Sequence, residues 1–366
     1  MGLAGTEMRR AKLRFGLLTG AVALLVFLVL LLSTLSNALV SSLVGALQGL
    51  QTQGLVYADS ARDNIVASRL APGAVAQVAA VPGVDSAAGV GTFTTNAAIA
   101  AAAPTEVQVF GFAADGPGAP SGLSSGRLPT APGETAIDGG GAAIGDTITL
   151  QPGGTALTVV GTIRGAQFNA LPTAYVTLPT YDQAIAAANP GLPFVPINAV
   201  AFDVVDGQDV AAVAASIAGA VAGVTAYPLD TAVSLIPGID SITQSFGILV
   251  GLTFVIGIVV IGFFFLILTV QKMRAFTLLR AIGTSTGRLA GSVALQIAVV
   301  VLVASAIAVV LTLLAVQGLN TGIPVTLQPS LIIGTVLAVL VFSLLAGLLS
   351  IRRIARIDPA TAVGAR

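Results

Sequence analysis

The sequence predicts a membrane α-helical protein: four transmembrane helices, a stalk helix and a mixed α/β extracytoplasmic domain. Three observations carry this reading. The chain has 366 residues, 55% hydrophobic and only 9% charged, a balance too apolar for an ordinary soluble protein. It contains long charge-free stretches, residues 15–58, 241–271 and 289–351. The charges between them are sorted by sign.

Twelve of the sixteen cations fall in three short segments: Arg9, Arg10, Lys12 and Arg14; then Lys272, Arg274, Arg280 and Arg288; then Arg352, Arg353, Arg356 and Arg366. Fourteen of the sixteen acids lie between Asp59 and Asp240, against four arginines, so that region carries a net charge of −10. By the positive-inside rule the basic segments are cytoplasmic and the acidic region lies outside. The localisation expected is therefore the cell membrane, with both termini inside.

Residues 1–14 form the cytoplasmic N-terminal segment. Residues 15–36 are almost purely apolar and long enough to span, since about 20 residues cross a hydrocarbon core of about 30 Å. Leu39, Leu43, Leu47 and Leu50 then repeat at helical spacing among Ser, Gly and Gln, which reads as a stalk helix over 37–58. The apolar run is long for a signal peptide, which favours a retained anchor. The outer domain covers 59–240. Spans follow at 242–270, 289–316 and 330–351, with a basic cytoplasmic segment at 271–288 and a cytoplasmic tail at 352–366. The turn-rich run Gln317–Gly318–Leu319–Asn320–Thr321–Gly322–Ile323–Pro324 breaks the last charge-free stretch and places an outer loop at 317–329.

Within the outer domain, Val107–Phe112 reads as a strand. Thr147–Gln151 and Thr155–Arg164, joined by Pro152–Gly153–Gly154, read as a hairpin. Ala199–Val205, an Ala/Val-rich helix near Asp209–Val221, and Val224–Tyr227 read as a strand–helix–strand unit. The Ala/Pro/Gly/Ser-rich stretch 113–133 reads as a long loop.

Much chemistry is excluded. There is no cysteine and no histidine, so the commonest metal ligands and nucleophiles are missing. Neither lysine follows the Gly-rich run of a phosphate-binding loop, and Gly139–Gly140–Gly141 reads as a turn. No ionisable residue lies inside a span, which disfavours proton- or ion-coupled transport. Gly16/Gly20 and Gly247/Gly251 are small-xxx-small pairs, common by chance among 42 glycines. Asp138, Asp146, Asp203, Asp206 and Asp209 read as loop and cap residues on a solvated acidic face, in no calcium-loop spacing.

The most informative segment is 274–288. It is short, basic and amphipathic, and it sits between two spans. Phe276, Leu279 and Ile282 fall on one face, with Arg274 and Arg280 supplying charge. It reads either as a solvated loop ending a helix at Gly283 or as a helix that docks on a soluble partner.

The run Gln271–Lys272–Met273–Arg274–Ala275–Phe276–Thr277–Leu278–Leu279–Arg280–Ala281–Ile282–Gly283 resembles the signature of FtsX-like permeases, the MacB-type subunits of ATP-binding-cassette (ABC) transporters. Arg356–Ile357–Asp358–Pro359–Ala360–Thr361–Ala362 resembles that family's C-terminal ending. Gly126–Arg127–Leu128–Pro129, Glu134–Thr135–Ala136–Ile137 and Gly145–Asp146 resemble its outer-domain stretch. Phe264–Phe265, Gln271–Lys272 and Leu295–Gln296–Ile297 look most like the branch of the DevC and HrtB exporters.

The resemblance implies a non-enzymatic permease, with ATP and Mg bound by a separate ABC ATPase dimer. That partner would be contacted by Arg274, Phe276, Leu279, Arg280, Ile282, Gly283, Asp358 and Pro359. It implies a second permease chain, export of a hydrophobic or amphipathic small molecule, haem and lipid among the candidates, and no nucleic-acid partner. Tyr57 with Asp59 would be the substrate-binding or haem-approaching residues, tyrosine being a known axial ligand. The alternative implied is a non-transporting activator of a cell-wall hydrolase.

Overall fold

The computed structural model describes residues 12–99, 102–271, 285–318 and 329–355. Most of the expected ATPase-contacting segment, including Arg274, Phe276, Leu279, Arg280, Ile282 and Gly283, lies outside the described residues, as do Asp358 and Pro359.

In chain order the elements are α1 (Lys12–Gln48), β1 (Leu50–Gln51), β2 (Gly54–Ala58), α2 (Ala74–Ala79), β3 (Val84–Ile99), β4 (Thr105–Phe112), β5 (Ala119–Pro120), β6 (Leu123–Gly126) and β7 (Glu134–Asp138). There follow β8 (Thr147–Gln151), β9 (Ala156–Ile163), β10 (Thr173–Thr177), α3 (Leu178–Ala188), β11 (Ala199–Val204), α4 (Val210–Ala220), β12 (Val224–Pro228) and α5 (Leu229–Ser234). Three long helices close the described chain: α6 (Ile239–Gln271), α7 (Thr286–Gly318) and α8 (Pro329–Ala355). Two compact units result among the described residues, one drawn from 12–36, 244–271, 285–318 and 329–355, the other from 37–99 and 102–243.

The first unit is helical. Phe15–Gln48, Ile239–Phe264 and Gly291–Gly318 are each long and apolar enough to cross a membrane; α8 contributes a shorter apolar stretch, Pro329–Leu345. Among the described residues, three helices are thus of spanning length. Phe15, Leu18, Val22, Val26 and Leu30 of α1 pack with Ile261 of α6, with Ile297, Val301 and Ala304 of α7, and with Val339 of α8. Phe254 and Phe342 meet edge to face at 5.3 Å, tying α6 to α8. A methyl group added at Gly16, Gly20, Gly247 or Gly251 would meet nothing within 4 Å, so these pairs make no close helix contact within the described chain.

The second unit is built on a sheet of order β12-β2-β11-β3-β4-β10-β7-β9-β6, with β8 pairing both β3 and β9. The expected strands and the β8/β9 hairpin form, and Asp209 caps α4 by accepting the Ala211 N–H at 3.3 Å. The strand–helix–strand unit also forms, with β2 inserted between β11 and β12 and antiparallel to both. β3 is long enough to serve two halves: its first residues pair with β11 and its last with β4 and β8.

Both faces of the sheet are covered, so successive residues of one strand enter different cores. Val56 and Ala58 pack beneath α2 and α4 with Phe202, Val213 and Ile217. Leu55 and Tyr57 face the opposite core with Phe110, Phe168 and Tyr175. Val107, Val109, Ala174 and Val176 join Tyr181 and Ala184 of α3 in a third. In β9, Leu157 and Val159 face that third core, whereas Ile163 faces the second. The register shift between Val159 and Gly161 supplies the extra residue that reverses the face.

Two expectations are corrected. The stalk does not run to residue 58: α1 stops at Gln48, Gly49 follows, and Gly54–Ala58 is a strand. Glycine is a poor helix continuer, and the Leu-Val-Tyr run behind it is β-prone. The stretch 113–133 is not a plain loop either. It carries β5, paired with β1, and β6, paired with β9, pairings set by distant partners and invisible to local periodicity.

Asn198, just before β11 and 1% exposed, holds the segment after β2. Its Oδ1 accepts the Thr92 N–H at 2.7 Å and the Tyr181 hydroxyl at 3.1 Å, and its Nδ2 donates to Ile65 O and Ser68 O at 3.1 and 3.2 Å. Every bonding site of this buried amide is therefore used. Asn198→Leu should orphan those partners and lower the unit's stability by about 2–4 kcal/mol. Thermal unfolding followed by circular dichroism checks this; an unchanged midpoint would contradict it.

Candidate functional site

The C-terminal quarter of α1 does not stand free. Val44, Ala46 and Leu47 are fully buried in the core that also holds Tyr57, Phe110, Phe168 and Tyr175. Of the leucine repeat, Leu39 and Leu43 are half-buried and Leu47 fully buried on the helix, while Leu50 is buried beyond its end, in β1.

The segment that follows β9 clasps this helix. Asn169 and Ala170 both adopt left-handed backbone, φ 53° and 57°, a conformation costly for residues with a Cβ. That geometry turns their N–H groups onto α1: Asn169 donates to Leu43 O at 3.0 Å and Ala170 to Ser42 O at 2.8 Å. In return the Ala46 N–H donates out of the helix to Gln167 O at 2.9 Å, and Ser41 Oγ donates to Gly165 O at 3.2 Å. The contact is close because Gly45 has no side chain: a methyl there would sit 2.4 Å from Gly165 O.

The clasp is itself anchored. Asp138, at the end of β7, accepts the Ala166 N–H at 2.6 Å, the Tyr175 hydroxyl donates to Ala166 O, and Phe168 N–H donates to Thr173 Oγ1 at 3.0 Å. Asp138 is therefore no member of a solvated acidic face. It is 4% exposed, and burial raises its pKa against the opposing pull of the Ala166 and Gly165 amides and the Arg164 charge. Asp146 is a loop residue as expected, accepting the Ala143 amide at 2.8 Å, whereas Asp203 lies within β11 and its carboxylate accepts the Gln53 amide at 2.8 Å.

The chain leaving α1 is tied down as well. Ser121 N–H donates to Gly49 O at 2.7 Å, and Gly118 N–H to Gln51 O at 2.9 Å. At the other end of the domain, α5 is pinned by the Leu229 N–H to Gln53 O at 2.9 Å, and Ile239, the first residue of α6, is buried in the same core as Val44 and Leu47. That core therefore holds the last turns of α1 and the first residue of α6.

Tyr57 lies in β2, and its side chain is completely buried. Its hydroxyl has no hydrogen-bond partner among the described residues, and burial, with the Asp63 carboxylate second, pushes its pKa well above the ordinary phenol range. An iron ligand would need access and an easily lost proton; Tyr57 has neither and serves as packing. Asp59 is exposed at the start of a short 3-10 turn and does not share a site with it.

The Arg127…Glu134 stretch closes on itself. Arg127 donates through both Nη atoms to the Glu134 carboxylate, which also accepts the Thr130 and Ala131 amides at 3.1 Å each. The Arg127 hydrogen bonds, then the Thr130 amide, hold the Glu134 carboxyl at about 2. Both side chains are at the surface, so the pair shapes a turn rather than supplying stability. Among the described residues no cluster of acidic side chains is arranged to hold a metal ion.

Helices α1, α6 and α7, each with a stretch long and apolar enough to cross a membrane, beside an α/β unit suit a membrane protein. Residues 247–359 match the FtsX-like permease C-terminal family. An uncharacterized ABC transporter permease of Mycobacterium tuberculosis is 28% identical over 290 residues, covering 79% of this chain and 77% of that protein. A Staphylococcus epidermidis protein named as a hemin transport system permease, HrtB, is 32% identical over 111 residues, 30% of this chain and 32% of that one. The periplasmic region of MacB from Actinobacillus actinomycetemcomitans aligns with 52% of this chain and 95% of its own at 11% identity, with a TM-score of 0.39.

Sequence reading missed the clasp. Its signals were Gly45 and Gly49 on a helix otherwise rich in leucine, and Gly165–Ala166 after a strand; none points to a partner until the fold brings residues 41–49 against 165–170.

Gly45→Ala should force the clasp from the helix and destabilise the outer domain by about 1–3 kcal/mol, the usual cost of overpacking; chemical denaturation measures it. Asp138 gives a pH signature. Its folded pKa is raised, so its contribution is fully present below the ordinary aspartate range and is lost as pH rises through the folded value. Stability should climb as pH falls from neutral toward that range. The climb should shrink in Asp138→Asn, as unfolding midpoints of both proteins across that window would show.

Proposed function

We propose that this protein is the permease subunit of an ABC transporter, non-catalytic itself, driven by a separate ATPase dimer that binds ATP and Mg. The observation that carries the reading is the match of residues 247–359 to the FtsX-like permease C-terminal family, a stretch that includes the basic segment between α6 and α7. The mycobacterial ABC transporter permeases, similar along most of the chain, support it.

In this reading the ATPase docks on Arg274, Phe276, Leu279, Arg280, Ile282 and Gly283, with Asp358 and Pro359 of the tail adding contact. A second copy of the permease completes the assembly in the cell membrane, with both termini cytoplasmic and the acidic domain outside. Closure of the ATPases shifts the spans. In this reading, because the last turns of α1 are core residues of the α/β unit, a displacement of that span is passed to the unit. The cargo proposed is an apolar or amphipathic small molecule. The spans of α1, α6 and α7 carry no ionisable side chain between residues 15–58, 241–271 and 289–318, which suits a cargo taken from the membrane or the outer compartment rather than an ion led through a polar pore. The relation to HrtB makes haem a cargo to test, without Tyr57 as its ligand.

The test is capture of the full chain in mild detergent, with ATPase activity measured on the eluate. An ATPase should copurify. Leu279→Asp should abolish its capture, since it places a charge in an apolar contact; capture unchanged by that substitution would contradict the docking site. Gly45→Leu, far along the sequence from that site, should retain the ATPase and still lose cargo-stimulated turnover.

A further inference from the structure

We propose that the cleft bounded by α2, β3 and α3 in the outer domain binds a monocationic amphiphile, an amine or quaternary ammonium on an apolar body, with Asp182 as its counter-charge. The proposal deepens the permease reading by naming a cargo class and a site; it rests on that reading only for the site's role in transport.

The cleft is open and measures about 320 Å³, at the small end of the range for small-molecule pockets. Its floor is Ala87, Ala88 and Gly89, three of the smallest residues in β3. Ile197 and Leu178 pack close over Gly89: a methyl there would lie 3.3 Å from Ile197 Cδ1 and 3.5 Å from Leu178 Cδ1. Val75 of α2 adds an apolar wall, and half-buried Ala113, after β4, lines it as well.

Asp182 of α3 is the one ionisable residue lining the cleft. No lysine or arginine pairs with it among the described residues, where the one ion pair is Arg127 with Glu134. Apolar surroundings raise its pKa, so an approaching cation would gain the attraction that the protein leaves unused. The field points the same way, because residues 59–240 carry a net charge of −10 and concentrate cations near the domain.

The experiment uses the full chain in lipid nanodiscs, with empty discs subtracted, and equilibrium dialysis of tetraphenylphosphonium. Its anionic analogue tetraphenylborate has nearly the same size and shape. Wild type should bind the cation saturably at one site. Asp182→Asn should weaken binding on the order of fivefold, the size expected for a partly exposed charge pair, and Asp182→Glu should restore it. Ala113→Phe should fill the cleft and remove saturable binding. Circular dichroism identifies a variant that fails to fold; the exposed Asp182 pair then decides the matter alone. Equal affinity in all variants, or equal binding of tetraphenylborate, would overturn the proposal and leave the cleft as an apolar face for a macromolecule. Absence of a copurifying ATPase, measured separately, would instead remove the transport role and leave the binding site standing.

Discussion

Everything about this fold depends on a helix surface small enough to be held by backbone. At Gly45 the helix presents no side chain, and the segment 165–170 lies directly on it, exchanging hydrogen bonds with Ser41, Ser42, Leu43 and Ala46. A larger residue would keep the two backbones apart and leave these polar groups unpaired inside a dry core, where each lost bond costs on the order of 1–3 kcal/mol. The left-handed turn at Asn169 and Ala170 is strain set against those bonds, and it persists because Phe168, Thr173 and the Asp138–Ala166 contact fix both sides of it.

The rest of the outer domain can be understood as support for that grip. A sheet covered on both faces gives three small cores rather than one, and strands β2, β4 and β10 each feed two of them. The central core is the one that receives α1 and α6. A membrane helix alone could rotate or slide against its domain; one whose last turns are core residues cannot do so without unfolding part of that core.

The membrane part was legible in the sequence because its signals are one-dimensional. Charge-free length, the basic clusters and turn residues locate the apolar helices α1, α6 and α7 with no tertiary information. Strands with local patterns, such as Val107–Phe112 and the hairpin around Pro152–Gly153–Gly154, were legible for the same reason. The long strand β3 was not, since Val84–Ile99 is an Ala/Gly/Thr-rich run whose strand character comes from its partners. The clasp was not legible either: its members lie over a hundred residues apart, and Asp138 looks like any surface acid until Ala166 is brought to it. Tyr57 misled in the opposite direction, because a lone tyrosine beside an aspartate suggests chemistry and the sheet places it in the core.

The most direct measurement of the central claim is amide hydrogen exchange on the full chain in its membrane mimic. If the outer domain truly grips its helices, the N–H groups of Ala46, Asn169 and Ala170 should exchange as slowly as the central strands β4 and β10, since opening any of them requires breaking the core. Exchange of these amides at the rate of exposed turns such as 139–141 would mean that the clasp is loose and that force from the spans is not carried through it.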